Sequence, residues 1–566
     1  MESKRNTYIL AKFDVSGIQQ YIFATNRLRE NVGASSQVTK ILEEYLPIAI
    51  GEETDPQKRT VLEWEKESKL RISEDERIVV EMVYIGGGNA MVIFRSREVF
   101  QNVCKNLGAK VAKNCQGLYL TVAHEIVHFE DFESNVTTLD KKMAKNKANM
   151  VRQPIYSPFP VVEQDNSNHQ PITRCYCYRK DEEKLSTSSN KEENMTEMKY
   201  QKWMAYKELG RDRRELLKDI PFLETRNLWH SKCVLKGMKM YPDLEGLPNY
   251  AYPVEMDELC RNSGENSHIA VVHIDGNGMG EQIREILHSY KEYEEAVPML
   301  REKSKEISSI FRNTYKALLL RMFANSEAWN QDKEKTVFRL RPIVLDGDDF
   351  TFLCTADLAL PIAACFLTEL TKSQQKKEKK ITACAGIAFV HSHFPFYEAY
   401  KIAEESCSAA KSKWYAERGK KGGGQENCFL DFRVIKGSEV GGTQRHEEWQ
   451  LRPYHVGIPN GKPRPDSVFQ LYETIKKMEE NWPSNRVHKI QRAMLAGEEQ
   501  VALLNSEFSS RSYSIKKLVQ TDKWKDSPLY DALEIRGLCN VKLMTKLLNM
   551  QEKQGNEYME VDNKIK

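Results

Sequence analysis

"RPIVLDGDDFTFLCT", residues 341–355, is an apolar run, three acids around one glycine, and a second apolar run. Two such runs about a glycine turn are the signature of a β-hairpin. Acids are poor strand residues and like charges repel, so Asp346, Asp348 and Asp349 at one tip call for compensating positive charge. An earlier strand, within "SHIAVVHIDGNGMG" at 267–280, ends at Asp275. If the hairpin pairs beside that strand, two separate sets of carboxylates meet on one edge of a sheet. Hard divalent cations can supply the missing charge, and Mg2+ typically takes one or two carboxylates plus substrate phosphates. Two such ions about 3.5–4 Å apart activate a 3′-hydroxyl and stabilise a departing pyrophosphate. Asp275, Asp346, Asp348 and Asp349 are therefore expected to hold divalent ions on a nucleoside triphosphate.

The neighbouring glycines fit a phosphate. Gly276, Asn277, Gly278, Met279 and Gly280 form a strand-to-helix turn, where missing Cβ atoms let backbone amides approach an anion at a helix N-terminus. The spacing is G-x-G-x-G, and no acid stands suitably downstream, which argues against a dinucleotide fold. Asp346 and Gly347 are expected on the nucleotide as well. Cations should follow: "EESCSAAKSKWYAERGKKGGG" at 404–424 offers Lys411 and Lys413 near a helix end, then Arg418, Lys420 and Lys421. Lys411 follows the apolar stripe Tyr400, Ala403, Cys407, Ala410, which turns it toward the sheet. The alternative for each motif taken alone is bland: a tight turn, a solvated acidic turn, a solvated lysine.

The segment around that hairpin repeats an earlier one. Residues 1–150 read as an α/β unit: the strand "TYILAKFDVSG" ending at Asp14, a helix "IQQYIFATNRLRE", a hairpin about "GGGN" at 86–89, a helix, and the β-branched run "GLYLTVAHEIVHF". Residues 266–435 follow the same plan, with the turn at 346–349 in the place of "GGGN". The first unit has one strand-end acid and no acidic tip, so it is expected to be a structural partner or to bind a second nucleotide without chemistry, through Ser16, Gly17 and Gln19. Residues 151–265 are a linker or small helical region. Within them 181–217 are highly charged and read as a surface loop and a solvated helix. A helical region, 436–566, follows the proline-rich joint "LRPYHVGIPNGKPRPDS".

The chain has 566 residues, enough for several cores, and a net charge of +3, too small to argue attraction to nucleic acid or membrane. It has no apolar run of bilayer length and no secretory pattern at "MESKRNTYILAKFDVSG", so a cytoplasmic protein is expected. Its twelve cysteines are scattered, and only Cys175 and Cys177 lie close together, a weak zinc signal without a second pair. "AHEIVHFED" carries the His-Glu-x-x-His pattern at His124, Glu125 and His128. That zinc-peptidase chemistry needs a helix, whereas the preceding "LYLTV" and the repeat both put the segment on a strand.

These residues together resemble the large polymerase–cyclase subunit of type III CRISPR effector complexes. "FDVSGIQQYIF" at 13–23 is similar to the opening of that family's first palm domain, and Asp275–Gly280 to the turn of its second. The family's Gly-Gly-Asp-Asp hairpin is here Asp346-Gly347-Asp348-Asp349, and "AGIAFVHSHFPFYEAYKIAEESCSAAKSK" at 385–413 matches its later strand and helix. The resemblance covers about residues 7–435. It implies an α+β fold of two ferredoxin-like palm domains, a linker and C-terminal helices. It also implies ATP as substrate, Mg2+ or Mn2+ as cofactor, and a 3′–5′ linked oligoadenylate or cyclic nucleotide as product, with Asp275, Asp348 and Asp349 as the catalytic carboxylates that, with Gly276, bind the metal. Partners would be subunits of an RNA-guided complex or a second copy of the chain. No His-Asp dipeptide occurs, so the family's phosphohydrolase nuclease is not expected, and Cys175 and Cys177 are all that matches its zinc cysteines. Both departures suggest a shortened or stand-alone relative. Other functions kept open are a catalytically silent scaffold or nucleotide or RNA sensor, and a diguanylate-cyclase-like enzyme.

Overall fold

The computed structural model describes all residues except 1–7, 65–70, 151–160, 166–169, 179–190, 217–222, 225–249, 254, 261–267, 331–336, 375–379, 419–426, 436–446, 458–463, 512, 520, 522 and 554–566. Lys420 and Lys421 fall outside the described residues, as does the side chain of Cys177. The fold is α+β and divides into two compact units: Met1–Gly237, Gly278–Ile310 and Asp346–Asp348 form one, and Met238–Asn277, Phe311–Leu345 and Asp349–Lys566 the other.

The first unit is built on a sheet of β1 (Ile9–Ser16), β2 (Arg59–Val61), β3 (Ile78–Gly86), β4 (Asn89–Phe94) and β5 (Tyr119–Ile126), in the order β2-β3-β4-β1-β5. Leaving out β2, which joins β3 in parallel, the β3-β4-β1-β5 order with antiparallel neighbours is the ferredoxin-like arrangement. The β3–β4 turn has Gly87 at φ 58° and Gly88 at φ 73°, the left-handed pair that a two-residue hairpin turn demands. Alternation along β1 sends Phe13 toward Phe94 and Phe100 on one face. Leu10 goes to the other face, where Phe132, Val136, Leu139 and Met143 of α5 (Phe132–Ala148) pack. α5 also closes the open edge of β5, since Lys142 Nζ and Asn146 Nδ2 donate to the carbonyls of His124 and Val122 at 3.4 and 2.9 Å. His124 and Glu125 are thus strand residues, as the repeat predicts.

Two local expectations are corrected. The helix expected over 18–30 breaks into α1 (Ile18–Phe23) and α2 (Leu28–Lys40), because Thr25 Oγ1 takes the backbone N–H of Arg27 at 3.0 Å. Helices α3 (Leu46–Glu52) and α4 (Arg97–Asn114) follow. The charged stretch 181–217 is not solvated throughout: after the hairpin of β6 (Ile172–Tyr178) and β7 (Lys191–Thr196), α6 (Glu197–Leu216) packs on α2. Trp203 and Lys202 are buried, and the Lys202 ammonium donates to the carbonyl of Tyr21 at 2.6 Å while lying 4.1 Å from that ring's centre. Lysine stems bury readily when the head finds a carbonyl and an aromatic face, which charge counting misses. Cys175 is an exposed thiol. Also in this unit are the two-residue β8 (Leu223–Glu224), α7 (Met279–Ser289) and the N-terminal half of the long α8 (Tyr293–Ala324).

The second unit begins with β9 (Tyr250–Ala251) and carries β10 (His268–Gly276), β11 (Leu340–Asp346), β12 (Asp349–Thr355), β13 (Ala383–His391), β14 (Cys428–Val434) and β15 (Tyr454–Val456). The sheet order is β11-β12-β10-β13-β14-β15, so its first four members reproduce the order of the first unit's sheet. β15 comes from the proline-rich joint, which is therefore strand in part. On one face Phe350 meets Phe366 of α10 (Ala356–Lys372) and Tyr315 of α8. On the other lies α11 (Phe396–Arg418), so close that a Cβ on Gly386 of β13 would sit 1.9 Å from Ala403 O and 2.3 Å from Cys407 N. Gly386→Ala must push α11 off the sheet. A loss of about 2–3 kcal/mol is expected in urea unfolding, and a loss under half of that would mean the helix is not seated so tightly. The short α9 (Ser326–Trp329) and α12 (Val468–Asn481) to α17 (Val541–Lys553) complete this unit. Asn540 N donates to Asp357 O of α10 at 2.8 Å, and buried Asp531 of α16 (Leu529–Ile535) takes the hydroxyl of Tyr454 at 2.6 Å. Among the described residues no helix is long and apolar enough to cross a membrane.

Candidate functional site

β10 runs through the second sheet with Ile269 to Ile274 buried, and its hydrophobicity ends at Asp275. β12 starts at Asp349 and runs antiparallel beside it, with Asp275 directly opposite Asp349. Residues opposite each other share a sheet face with Cβ atoms about 5 Å apart, so the two carboxylates stand side by side, partly open to solvent. Two residues back on that face, buried His273 lies opposite Thr351. Its Nδ1 is 2.9 Å from Thr351 Oγ1 and 3.4 Å from Asp349 Oδ1, and the Thr351 hydroxyl donates to Asp349 Oδ1 at 3.0 Å. Burial alone would lower the His273 pKa. The charges of Asp349, Asp275 and Glu404 and the contact with Asp349 outweigh it, and the net direction is up.

α11 completes the group. Tyr400 packs edge-on against His273 at 5.5 Å, and one end of the helix brings the Lys411 ammonium to 2.5 Å from Asp275 Oδ2. Lys413 turns elsewhere, donating to Pro453 O at 2.6 Å and to Asp466 Oδ2 at 2.8 Å. Gly276 is buried at the end of β10 opposite Ala383. Buried Asn277 is held by its N–H on Thr382 O at 2.8 Å and its Nδ2 on Thr382 Oγ1 at 3.1 Å, and among the described residues its Oδ1 has no hydrogen-bond partner. Gly278, at φ 65°, caps α7, whose first turn holds Met279 and Gly280. Gly278–Gly280 and Asp346–Asp348 group with the first unit, and Gly347, at φ 57°, puts its missing Cβ 3.5 Å from Gly87 N. The structure thus brings Asp275, Asp349 and Lys411 together, with His273 and Thr351 added. No motif flagged those two; the signal available was polar residues two positions inward from each acid, on the same face of the strand.

The first unit makes an instructive contrast. Asp14 stands in the register position of Asp275, but its partner across the strands is Asn89. Lys147 of α5 reaches Asp14 at 2.8 Å, as Lys411 of α11 reaches Asp275. The geometry is repeated; the second carboxylate is not.

The donor set suits a hard cation. Both carboxylates are oxygen donors on one face, partly open, and two acids with substrate phosphates are a usual complement for Mg2+. Among the described residues no group of three or more His, Cys, Asp or Glu is arranged to hold an ion, so neither a closed structural site nor the peptidase zinc site is formed there.

Two ferredoxin-like sheets of matching order, one with paired acids at its first and third strands, define a palm-domain protein. Residues 268–420 match the family model "Cas10/Cmr2, second palm domain", so this part of the chain is Cas10-like. No curated protein matches it. Among solved structures, a Csm1–Csm4 cassette in complex with pppApA is similar at 12% identity over 96% of this chain and 70% of that chain, with a TM-score of 0.50, which supports the shared fold. The cassette in complex with cA4 (13% identity, 94% and 70% covered, TM-score 0.44) and Csm1 in T.onnurineus (14%, 95% and 69%, 0.43) are also similar.

Proposed function

We propose that this chain is a metal-dependent nucleotidyltransferase that joins ATP through 3′–5′ linkages into a cyclic or linear oligoadenylate, releasing pyrophosphate, in type III CRISPR-type defence. The observation that carries it is the pair Asp275 and Asp349, face to face on neighbouring strands inside the segment that matches a Cas10/Cmr2 second palm. In this reading residues 1–150 are the degenerate palm, 266–435 the catalytic one, 151–265 the linker and 436–566 the helical domain. Asp275, Asp348 and Asp349, with the Gly276 backbone, would hold Mg2+ or Mn2+, which would supply the acidification of the ribose 3′-hydroxyl and the charge that neutralises the leaving pyrophosphate. Lys411 balances Asp275 before the nucleotide arrives, and then shares its ammonium with the triphosphate. Gly276–Gly280 and Asp346–Gly347 line the nucleotide, the glycines admitting phosphate close to backbone amides. Lys413, engaged by Asp466, supports the helix rather than the phosphate. The similar Csm1 structures were solved with Csm4 and with pppApA or cA4, which supports effector subunits as partners and adenylates as ligands here.

The test is purified protein with ATP and Mn2+, followed by mass spectrometry of the product. An adenylate chain or ring is expected, with one pyrophosphate released for each phosphodiester bond formed. Nucleotide binding with no product would favour the silent scaffold, and a guanylate product from mixed triphosphates would favour the diguanylate enzyme.

A further inference from the structure

Lys411 and Lys413 are separated by about 200° around α11, and they do different things. The first faces Asp275. The second enters a cluster from the chain segment that precedes α12. Lys413 Nζ donates to Asp466 Oδ2 at 2.8 Å and to Pro453 O at 2.6 Å. Arg464 grips Glu417, one helical turn beyond Lys413, through both terminal nitrogens at 2.8 Å each. The same guanidinium holds Asp466 at 2.9 and 2.8 Å. Asp466 O also takes the backbone N–H of His455, the middle residue of β15, at 2.7 Å. Four charges, two of each sign, therefore tie the C-terminal end of α11 to Pro453, Arg464 and Asp466. The ties are bidentate and partly buried, the case in which ion pairs keep geometry rather than dissolve into solvent. The carboxyls of Asp466 and Glu417 are both held below their usual range. For Asp466, burial opposes and the contacts with Arg464 and Lys413 win, giving about 2; for Glu417 the Arg464 contact is the main cause.

A lysine that reaches a carboxylate from a helix end depends on how that helix is rotated and how far it has slid. The cluster is fixed to the side of α11 away from Asp275, two to six residues past Lys411. We propose that Asp466 and Arg464 are positioning residues for Lys411: by clamping Lys413 and Glu417 they set the rotation of α11 that aims the Lys411 ammonium at Asp275 and at the anionic group bound there. The inference rests on the proposed function only where it names a triphosphate; the aiming of Lys411 at Asp275 stands without it.

The experiment uses the full chain as wild type, Asp466→Asn and Arg464→Lys, the second keeping the charge but losing the bidentate fork. Amine acylation followed by peptide mass spectrometry reads Lys411 and Lys413 separately. In Asp466→Asn, Lys413 labelling rises because its partner is gone, and Lys411 labelling rises about threefold to fivefold as its ion pair loosens. Arg464→Lys shows a smaller rise at both, and carries the test alone should Asp466→Asn not fold. In the turnover assay the KM for ATP rises about fivefold with kcat within about twofold, the pattern of lost ground-state binding rather than a general loss of folded enzyme. Lys411 labelling that stays at the wild-type rate while Lys413 labelling rises overturns the inference, and so does no change at either lysine. Were the wild type to release no pyrophosphate, the proposed function would fall, yet the labelling would still decide whether the clamp aims Lys411.

Discussion

Asp349→Asn will reduce pyrophosphate release from ATP by about a hundredfold to a thousandfold while the protein melts no lower than wild type. The two halves of this result have one cause. Asp349 stands opposite Asp275 across β12 and β10, and like charges directly opposite on a sheet destabilise it. Asparagine has the same shape and keeps an Oδ1 that can accept the Thr351 hydroxyl, now held at 3.0 Å, so the local hydrogen bonding survives. What is lost is one of the two negative charges that a divalent cation requires. A residue kept for binding usually costs stability when its ligand is absent, and removing it relieves that cost. The matched change in the first unit, Asp14→Asn, removes a carboxylate that faces Asn89 rather than a second acid; turnover there should stay within about fivefold of wild type. Pyrophosphate release and thermal melting measured on the same preparations give both numbers. If Asp349→Asn keeps most of its turnover, the paired acids are not the reacting centre. If it loses turnover only because it unfolds, the acids are structural.

What could be read from the sequence was mostly what strand periodicity and chemistry encode locally. The acidic hairpin tip and the acid ending an apolar strand are visible because both break the pattern of their surroundings, and they meet on one sheet edge on the condition, met in the fold, that the hairpin pairs beside that strand. The same repeat put His124 on a strand, as β5 has it. Features that depend on a partner far along the chain were not visible. Trp203 and Lys202 lie in a stretch dominated by charge, and only the docking of α6 on α2 reveals that they are buried. Tyr454–Val456 looked like part of a proline-rich joint, because three residues carry no period of their own; pairing with β14 makes them a strand. Lys413 and Lys411 are two positions apart in similar company, and no propensity says that one meets an aspartate of β10 and the other an aspartate more than fifty residues later.

Glu81 is the clearest signal passed over, and it carries the second large effect: Glu81→Ala is expected to cost about 3–5 kcal/mol of stability. An acid in the middle of "IVVEMVYIG" is anomalous in a strand that is otherwise apolar. It is fully buried there, with the Arg71 guanidinium 3.9 Å from its Oε1. Its carboxylate takes the Ile72 N–H at 2.8 Å, the Tyr293 hydroxyl, and a terminal nitrogen of Arg301 at 2.9 Å. Arg301, also buried, donates Nε to the carbonyl of Val83 at 3.1 Å and a terminal nitrogen to that of Met82. Burial pulls the guanidinium pKa down, and Glu81 opposes the pull. Burial, with Glu81 beside it, also drives the Tyr293 hydroxyl well up, so Tyr293 remains a neutral donor. Removing Glu81 leaves a buried cation with no counter-charge, and the penalty is that of an uncompensated ion, much larger than an ordinary hydrogen bond. The network joins β3 to the N-terminal half of α8, and β3 runs directly into the glycine turn at 86–88, so it braces the hairpin whose Gly87 packs near Gly347. Because the penalty comes from the unpaired partner, the double change Glu81→Met with Arg301→Met should be less destabilising than Glu81→Ala alone, despite removing more polar contacts. Urea unfolding of Glu81→Ala, of the single variants Glu81→Met and Arg301→Met, and of the double variant measures this directly. Additive losses would mean that the two side chains stabilise the fold independently and that no buried pair exists.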